Sequence, residues 1–209
     1  MLKIESFNLL PSFMTNTWLL WNDETHYALL IDPAAPDKKL IEIIKDNNLQ
    51  VTAIVNTHGH GDHIGGNSYF KDAFGCPIMI HEDDANMLIN NKKNLSEFMG
   101  TPMTSYPADR LLKDNDIIEM GPDKIRVIHT PGHTPGGICL LVDKLLISGD
   151  TLFEMSIGRT DFPGGNHQMI IDSIREKLFV LPDDTVVFPG HGPRTSIGME
   201  KQNNPFLRG

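Results

Sequence analysis

The sequence predicts an α/β fold in which several buried strands end at one polar site. Short apolar runs rich in β-branched residues alternate with amphipathic helical patterns over most of the chain. Residue types that bind metal ions follow several of these runs, and the loops after buried strands are where α/β architectures place their chemistry. With 209 residues and 40 % hydrophobic content, the chain is large and apolar enough for a substantial core. We therefore predict one domain over residues 1–209.

The first half of the chain opens with strands and then alternates helices with strands. We predict strands at 3–9, 17–22, 26–32, 51–56 and 77–80. We predict a helix that starts at Pro36 and ends at Asn47, and further helices at 67–74 and 83–89. Residues 90–107 are polar and show no periodicity, which is compatible with a mobile flap but does not decide whether the stretch is one.

The second half repeats this style. We predict strands at 117–120, 124–129, 137–142, 144–148 and 185–188, and one helix at 167–178. Ligand-type residues stand at or just beyond the strand ends, namely Asp32, His58, His133, Asp150 and His191.

Composition excludes several classes of protein. The chain has 18 Lys and Arg against 27 Asp and Glu, which gives a net charge of −9. No basic run is longer than a pair such as 92–93, which argues against a nucleic-acid partner. No apolar stretch approaches the roughly 18 residues of a membrane span, and the alternating start of the chain indicates a strand instead of a signal peptide.

Cys76 and Cys139 lie in apolar contexts, which favours buried thiols over a disulfide. We expect a cytoplasmic protein with no membrane partner.

The densest chemical signal is the run T-H-G-H-G-D-H at 57–63. In an extended backbone His58 and His60 project to the same side, so both imidazoles can bind one metal ion, and Asp62 continues this alternation. His63 breaks the alternation, and a helix starting there would turn its ring toward a second ion. A lone histidine is usually a surface or core residue, but a glycine-rich loop with this spacing buries nothing apolar, so we interpret it as a metal site.

Three further loops complete a ligand set. His133, Asp150 and His191 each follow a predicted strand within a few residues. Together with the motif they provide five histidines and two aspartates, enough for two divalent ions with one bridging carboxylate. Zinc is the ion we expect, with iron or manganese as alternatives. Two such ions, two aspartates and a hydroxide sum to a charge of +1, which favours an anionic transition state.

The remaining candidates are weaker. Asp32, at a strand end, is either a turn aspartate or an acceptor that orients a ligand histidine, and we favour the second. Four histidines have no partner at ligand spacing, and we leave them outside the site. Among these four, His129 is the main candidate for a residue that supports the ligands. The four are His26, His81, His129 and His167.

The motif and the three later ligand positions resemble the metallo-β-lactamase superfamily over residues 32–191. The resemblance implies a four-layer αββα sandwich with the metals at one edge of the two sheets. It also implies a division of the ligands, with Asp150 bridging the two ions. The first ion would be held by His58, His60 and His133, and the second by Asp62, His63 and His191.

Within that superfamily the run G-D-T-L-F at 149–153 resembles glyoxalase II, the hydroxyacylglutathione hydrolases, including short single-domain relatives. This implies hydrolysis of a small-molecule thioester, with glutathione as the candidate thiol, by a hydroxide that bridges the metals while Asp62 orients it. A thiolate leaving group, with a parent pKa of about 8.5, departs without strong help from an acid.

Other functions remain open. The run G-R-T-D-F at 158–162 resembles both short single-domain glyoxalase-II-like hydrolases and persulfide dioxygenases. A persulfide dioxygenase would use a single iron, and a hydrolase of another ester or a lactone is a further alternative. Glyoxalase II has Lys and Tyr contacting glutathione where this chain has Arg159 and Asp161, and a C-terminal helical domain that we do not expect here. Arg159 is either a binding residue for an anionic substrate group or a structural arginine. A non-catalytic or RNA-processing member is disfavoured by the complete ligand set and the acidic charge. The oligomeric state is left open.

Overall fold

The computed structural model describes residues 1–98 and 100–208 and shows two six-stranded sheets that pack face to face. The first contains, in spatial order, β1 (Leu2–Asn8), β2 (Asn16–Asn22), β3 (Tyr27–Ile31), β4 (Gln50–Val55), β5 (Ile78–His81) and β6 (Arg110–Leu112). The second contains β14 (Thr195–Ser196), β13 (Val186–Pro189), β10 (Leu145–Gly149), β9 (Ile138–Val142), β8 (Asp123–His129) and β7 (Ile117–Met120). A short hairpin pairs β11 (Leu152–Phe153) with β12 (Ser156–Ile157).

Helices cover the outer faces of both sheets. The first half carries α1 (Lys38–Asp46), α2 (Gly61–Ile64), α3 (Asn67–Phe74), a 3₁₀ turn (Glu82–Asp84) and α4 (Ala85–Leu88). The second half carries α5 (His167–Ser173), continued by a π-helical turn (Ile174–Leu178), and α6 (Ile197–Asn203). No helix among residues 1–98 and 100–208 is long and apolar enough to cross a membrane.

Three separate apolar cores show the layer order. The inner core joins the two sheets through residues such as Leu29 and Leu140. A second core packs α1 and α3 on the first sheet, and a third packs α5 and α6 on the second sheet. This confirms the four-layer αββα sandwich.

Parallel pairing brings the strand ends to one edge. In the first sheet β3 and β4 run parallel, with Ile31 opposite Val55, so Asp32 emerges beside the start of the 57–63 motif. In the second sheet β10 and β13 run parallel, with Gly149 opposite Pro189, so Asp150 and His191 emerge together. The backbone N–H of Ile138 donates to Thr57 O at 2.8 Å and joins the two sheets at this edge.

The structure refines the predicted elements. The first helix begins at Lys38 instead of Pro36, because Asp37 is extended and its carboxylate accepts the Leu40 N–H at 2.6 Å as an N-cap. The helix predicted at 83–89 is a 3₁₀ turn followed by α4. The predicted helix at 167–178 is α-helical only to Ser173 and then widens. The pattern did not predict β6, β11, β12, β14, α2 or α6, of which only α6 exceeds four residues.

The stretch considered as a flap, 90–107, is anchored on the protein by two buried residues, although most of its described side chains are exposed. Asn94 and Ser96 are fully buried, and Asn94 donates to the carbonyls of Met87 and Met103 at 3.0 and 2.9 Å. Its own carbonyl accepts the N–H of Gly61 at 2.8 Å. These contacts tie the stretch to the metal-binding motif.

The two cysteines are free and buried, as predicted. Cys76 packs in the core outside the first sheet, whereas Cys139 packs in the core outside the second sheet. Burial raises the pKa of each thiol to about 11, so both remain protonated thiols near neutral pH.

We expect Leu140→Ala to lower the free energy of unfolding by about 2–5 kcal/mol, because Leu140 is fully buried in the inner core and its removal leaves a cavity. Leu111→Ala is the matched control, since Leu111 is 50 % exposed on the edge strand β6, and it should lose less than about 1 kcal/mol. Urea denaturation with unchanged m-values measures both. Equal losses for the two variants would contradict the proposed layer order.

Candidate metal centre

All seven residues predicted as metal ligands meet at the shared edge of the sheets. Six of them form two groups, and within each group the ligand atoms lie within 4.8 Å of one another. The first group is His58, His60 and His133, and the second is Asp62, His63 and His191. Asp150 lies between the groups. Its Oδ2 is 3.5 Å from His133 Nε2 in the first group and 3.4 Å from His191 Nε2 in the second. The structure therefore gives Asp150 a bridging position.

The local backbone of the motif explains why the ligands divide. His60 is still extended, with φ −68° and ψ 150°, and α2 begins directly after it at Gly61. The alternation predicted to continue through Asp62 is therefore wrong, because Asp62 already lies in the helix. The helical turn instead carries Asp62 and His63 together toward His191.

Four of the imidazoles make a polar contact through Nδ1, on the side of the ring away from the metal centre, so that Nε2 faces the centre. His63 Nδ1 donates to Asp32 at 3.1 Å, His133 Nδ1 donates to the Arg159 carbonyl at 2.8 Å, and His191 Nδ1 donates to the Phe13 carbonyl at 3.1 Å. His58 Nδ1 lies 3.2 Å from the Thr57 hydroxyl. Such supports are typical of metal-binding histidines, because they set both the tautomer and the ring orientation.

The inward-facing atoms lack the partners that buried polar atoms normally have. His58 Nε2 and Asp150 Oδ1 are buried and have no hydrogen-bond partner within residues 1–98 and 100–208. His60 Nδ1 faces His133 Nε2 at 2.9 Å, and His63 Nε2 faces His191 Nε2 at 3.3 Å. Nitrogen lone pairs this close require a shared proton or a cation. The residues therefore fit divalent metal ions.

The pKa shifts separate the two groups. Burial, reinforced by neighbouring imidazoles, lowers the pKa of His58 well below its usual value and that of His60 to about 3, so both are neutral. Burial also opposes protonation of His63, but Asp62, Asp150 and Asp32 outweigh it and raise its pKa to about 10. Asp150 stays ionised, since His63 and His191 lower its pKa against the effect of burial. The first group thus offers neutral nitrogen ligands, whereas the second favours a positive charge.

Asp32 anchors the start of the motif. It is 1 % exposed and accepts the N–H and the hydroxyl of Thr57 at 2.7 and 2.6 Å, besides the bond from His63. Its backbone has φ 49°, which turns the carboxylate from the end of β3 toward β4. The contacts favour the predicted orienting role of Asp32 over that of a simple turn residue.

Asp84 is a second buried anchor, which the sequence analysis missed. Its carboxylate accepts the N–H of Gly59 at 3.0 Å, the hydroxyl of Thr134 at 2.7 Å and the N–H of Gly136 at 2.7 Å. It therefore links the motif to the loop that carries His133. Burial raises the pKa of Asp84 above its usual value, although these hydrogen bonds favour the ionised form. The sequence places Asp84 in an ordinary acidic helix start, so no local signal distinguished it.

The His191 loop is held by the start of β2. The Asn16 amide donates to the carbonyls of Pro189 and Gly192 at 3.0 and 2.9 Å, and the Trp18 indole donates to Pro189 O at 3.0 Å. A side chain at Gly190 would overlap the Asp150 carboxylate, so only glycine permits this approach. The hydrogen bonds from Asn16 and Trp18 join residues more than 170 positions apart, so sequence spacing cannot reveal them.

A cleft of about 400 Å³ opens beside the ligands. Its walls beyond the ligands are mostly apolar, formed by Phe13, Leu95, Phe153, Ile157 and Phe162, with Asn94, Ser156 and Arg159 as the other members. The Arg159 guanidinium lies 3.9 Å from the centroid of the Phe162 ring. The predicted substrate-binding Arg159 thus lines the cleft. Its carbonyl supports His133 at the same time.

The histidines left outside the site contribute none of these ligand atoms. His81 and His129 stack on each other with centroids 3.9 Å apart and ring planes 13° apart. Nitrogen lone pairs lie in the ring plane, so two parallel stacked rings do not direct them at one ion. His129 Nε2 donates to the Pro135 carbonyl at 2.8 Å, which makes His129 a support for the loop after His133.

Sequence comparison identifies similar proteins. A family model described as the metallo-beta-lactamase superfamily matches residues 10–191. The chain is 38 % identical over 197 residues to the "Probable metallo-hydrolase YqgX" of Bacillus subtilis, covering 93 % of this chain and 92 % of that protein. It is 36 % identical over 200 residues to the hydroxyacylglutathione hydrolase GloC of Haemophilus influenzae, covering 94 % of each.

Solved structures agree with the fold. The BLEG-1 B3 metallo-beta-lactamase superposes with a TM-score of 0.93 at 39 % identity, covering 99 % of this chain and 100 % of that chain. TTHA1623, solved in a di-iron-bound form, superposes with a TM-score of 0.85 at 32 % identity, covering 97 % of this chain and 100 % of that chain.

We expect Asp84→Ala to lower the free energy of unfolding by about 1–3 kcal/mol and to weaken metal binding, because it leaves the buried N–H groups of Gly59 and Gly136 without an acceptor. Asp83→Ala is the control, since the neighbouring Asp83 side chain is 51 % exposed, and it should change stability by less than about 0.5 kcal/mol. Urea denaturation and metal analysis after dialysis measure both effects. Full metal retention by Asp84→Ala would contradict the anchoring role.

Proposed function

Because this chain belongs to the metallo-beta-lactamase superfamily and is a metallo-hydrolase of that superfamily, we propose that it hydrolyses the thioester bond of a small molecule. The observation that carries the proposal is the pair of ligand groups joined by Asp150, beside a mostly apolar cleft of about 400 Å³. The similarity to the hydroxyacylglutathione hydrolase GloC supports a thioester over other bonds.

We assign the ligands as the geometry groups them. His58, His60 and His133 would hold one ion, and Asp62, His63 and His191 would hold the other. Asp150 would bind both, since it contacts histidines of each group. Imidazole and carboxylate ligands suit zinc, whereas the di-iron form of TTHA1623 makes iron the main alternative.

Divalent ions held by these residues would lower the pKa of water to about 7 and polarise the substrate carbonyl. Asp62 is the residue that we assign to the reacting water. Its Oδ2 accepts the Thr15 hydroxyl at 3.1 Å, and Thr15 is fully buried, so the carboxylate is held in one orientation. From that position Asp62 can accept a hydrogen bond from the water and align it with the carbonyl.

The leaving group explains why a thioester suits this cleft. A thiol of pKa about 8.5 leaves as the thiolate, so no side chain needs to donate a proton to it. An ester or amide would leave as a much stronger base and would need a proton donor at the cleft wall. That wall is dominated by Phe13, Phe153 and other apolar side chains.

The structure favours this function over a mononuclear iron dioxygenase. A single-iron site needs one set of ligands with open positions. Here Asp62, His63 and His191 form a second group whose ligand atoms also lie within 4.8 Å of one another, and His63 Nδ1 donates to Asp32. One iron per chain, together with oxygen uptake on a glutathione persulfide, would overturn the hydrolase proposal.

We expect the metal-loaded protein to hydrolyse a lactoyl thioester and Asp150→Ala to lose at least about a hundredfold in kcat/KM, because the bridging carboxylate is removed. The metal content of the variant should fall below that of the parent protein. Two substrates with the same acyl group are used, S-lactoylglutathione and S-lactoyl-N-acetylcysteamine, and thiol release is followed with a chromogenic disulfide.

Asp143→Ala is the matched control. Asp143 is exposed at the opposite end of β10 from Asp150, so this variant should keep parental activity and metal content. Chelation of the parent protein should abolish hydrolysis, and added zinc should restore it. Hydrolysis that survives both chelation and Asp150→Ala would refute the assignment.

A further inference from the structure

The cleft wall carries one cationic side chain, Arg159, among the lining residues outside the ligand set in the described parts of the chain. Five of the other wall residues are aromatic or aliphatic. Asn94 is already engaged, since its amide donates to two carbonyls and its Oδ1 accepts the Ser96 N–H at 3.0 Å. Arg159 is therefore the group that would decide whether the cleft attracts an anionic substrate.

Arg159 is paired within its own loop. Its Nε and Nη2 donate in parallel to Oδ1 and Oδ2 of Asp161, both at 2.7 Å. The face of the guanidinium is covered by the Phe162 ring at 3.9 Å. Phe162 in turn packs edge-to-face on His60, with centroids 5.7 Å apart. The planar fork of Arg159 is thus occupied by a carboxylate on one edge and by an aromatic ring on one face.

A substrate carboxylate would meet this pair unfavourably. To form the same two hydrogen bonds with Arg159 it would have to displace Asp161, and until then it would approach a second negative charge. The hydrogen bonds from Arg159 lower the pKa of Asp161 to about 2, so Asp161 is ionised throughout the neutral range. The cleft wall therefore presents Arg159 as one member of a neutral pair instead of as a free cation.

We infer that Asp161 is a specificity-determining residue: by masking Arg159 it makes the cleft select thioesters whose thiol portion is uncharged over those of carboxylate-bearing thiols such as glutathione. This inference rests on the proposed thioesterase function. The apolar wall then supplies the binding surface for the thiol portion, and Arg159 keeps a positioning role through the hydrogen bond from His133 to its carbonyl.

The test compares the two lactoyl thioesters, which share an acyl group and differ in the charge of the thiol. The metal-loaded full-length protein should show the higher kcat/KM on S-lactoyl-N-acetylcysteamine. In Asp161→Asn the ratio of kcat/KM for the glutathione ester to that for the uncharged ester should rise about three- to tenfold, because Arg159 is released and a negative charge is removed. The gain should shrink at high salt, since both side chains are more than half exposed.

Three variants separate masking from a structural effect. Asp161→Glu retains the charge and should keep the low ratio. The double variant Arg159→Ala/Asp161→Asn should lose most of the gain, because the freed cation is gone. Asp184→Asn breaks an exposed ion pair with Lys144, at the start of β13 and far from the cleft, and should leave the ratio within twofold of the parent.

The outcomes are distinguishable. Preference of the parent protein for the glutathione ester, or a ratio in Asp161→Asn that stays within twofold of the parent, overturns the inference and leaves the thioesterase function standing. A gain that persists in the double variant also overturns it, because Arg159 is then not the group unmasked. Hydrolysis of neither ester overturns the thioesterase proposal and the inference together.

Discussion

The close approach of five imidazoles and two carboxylates is the constraint on which the rest of the structure depends. Their inward atoms lie too close to be stable without a cation, and two of them have no partner among the described residues. Four of the five rings are held by a polar contact on the side away from the centre, as His133 is by the carbonyl of Arg159. The parallel strand pairs bring the ligands to one edge. Gly190 permits the close approach of Asp150, and the turn at Asp32 brings its carboxylate to the motif.

Two buried aspartates divide the supporting role between the two ligand groups. Asp32 holds Thr57 and His63, and so fixes the second group relative to the first sheet. Asp84 holds Gly59 and the turn that carries His133, and so closes the first group across the two sheets. Asp32 accepts hydrogen bonds from Thr57 and from the His63 ring, whereas the three bonds to Asp84 come from backbone N–H groups and a hydroxyl. Removing either carboxylate would leave buried N–H and hydroxyl groups without an acceptor, which makes neutral replacement at either position costly.

The sequence predicted which residues gather at the site, and the family resemblance predicted the order of layers, but neither predicted the residues that support the site. The spacing of 57–63 predicted a metal site because it depends on one local segment, and the repeated strand ends predicted where His133, Asp150 and His191 would meet. Asp84, Thr15 and Asn16 act on partners 25 to 176 positions away, and nothing in their own neighbourhood indicates it. The expected alternation ends before Asp62, because α2 begins at Gly61, whose N–H donates to the Asn94 carbonyl in the 90–107 stretch.

Charge at the metal centre and charge on the cleft wall have separate consequences for the proposed reaction. Positive charge near the carbonyl stabilises the oxyanion that develops in the transition state and therefore raises the rate of the chemical step. A free cation on the cleft wall would instead bind a substrate carboxylate equally well in the ground state and in the transition state. Such binding lowers KM without accelerating hydrolysis. The pairing of Arg159 with Asp161 removes this uniform attraction. Discrimination between thiols then depends on the fit of the thiol portion to Phe13, Phe153 and Phe162, while catalysis depends on the ligand groups joined by Asp150.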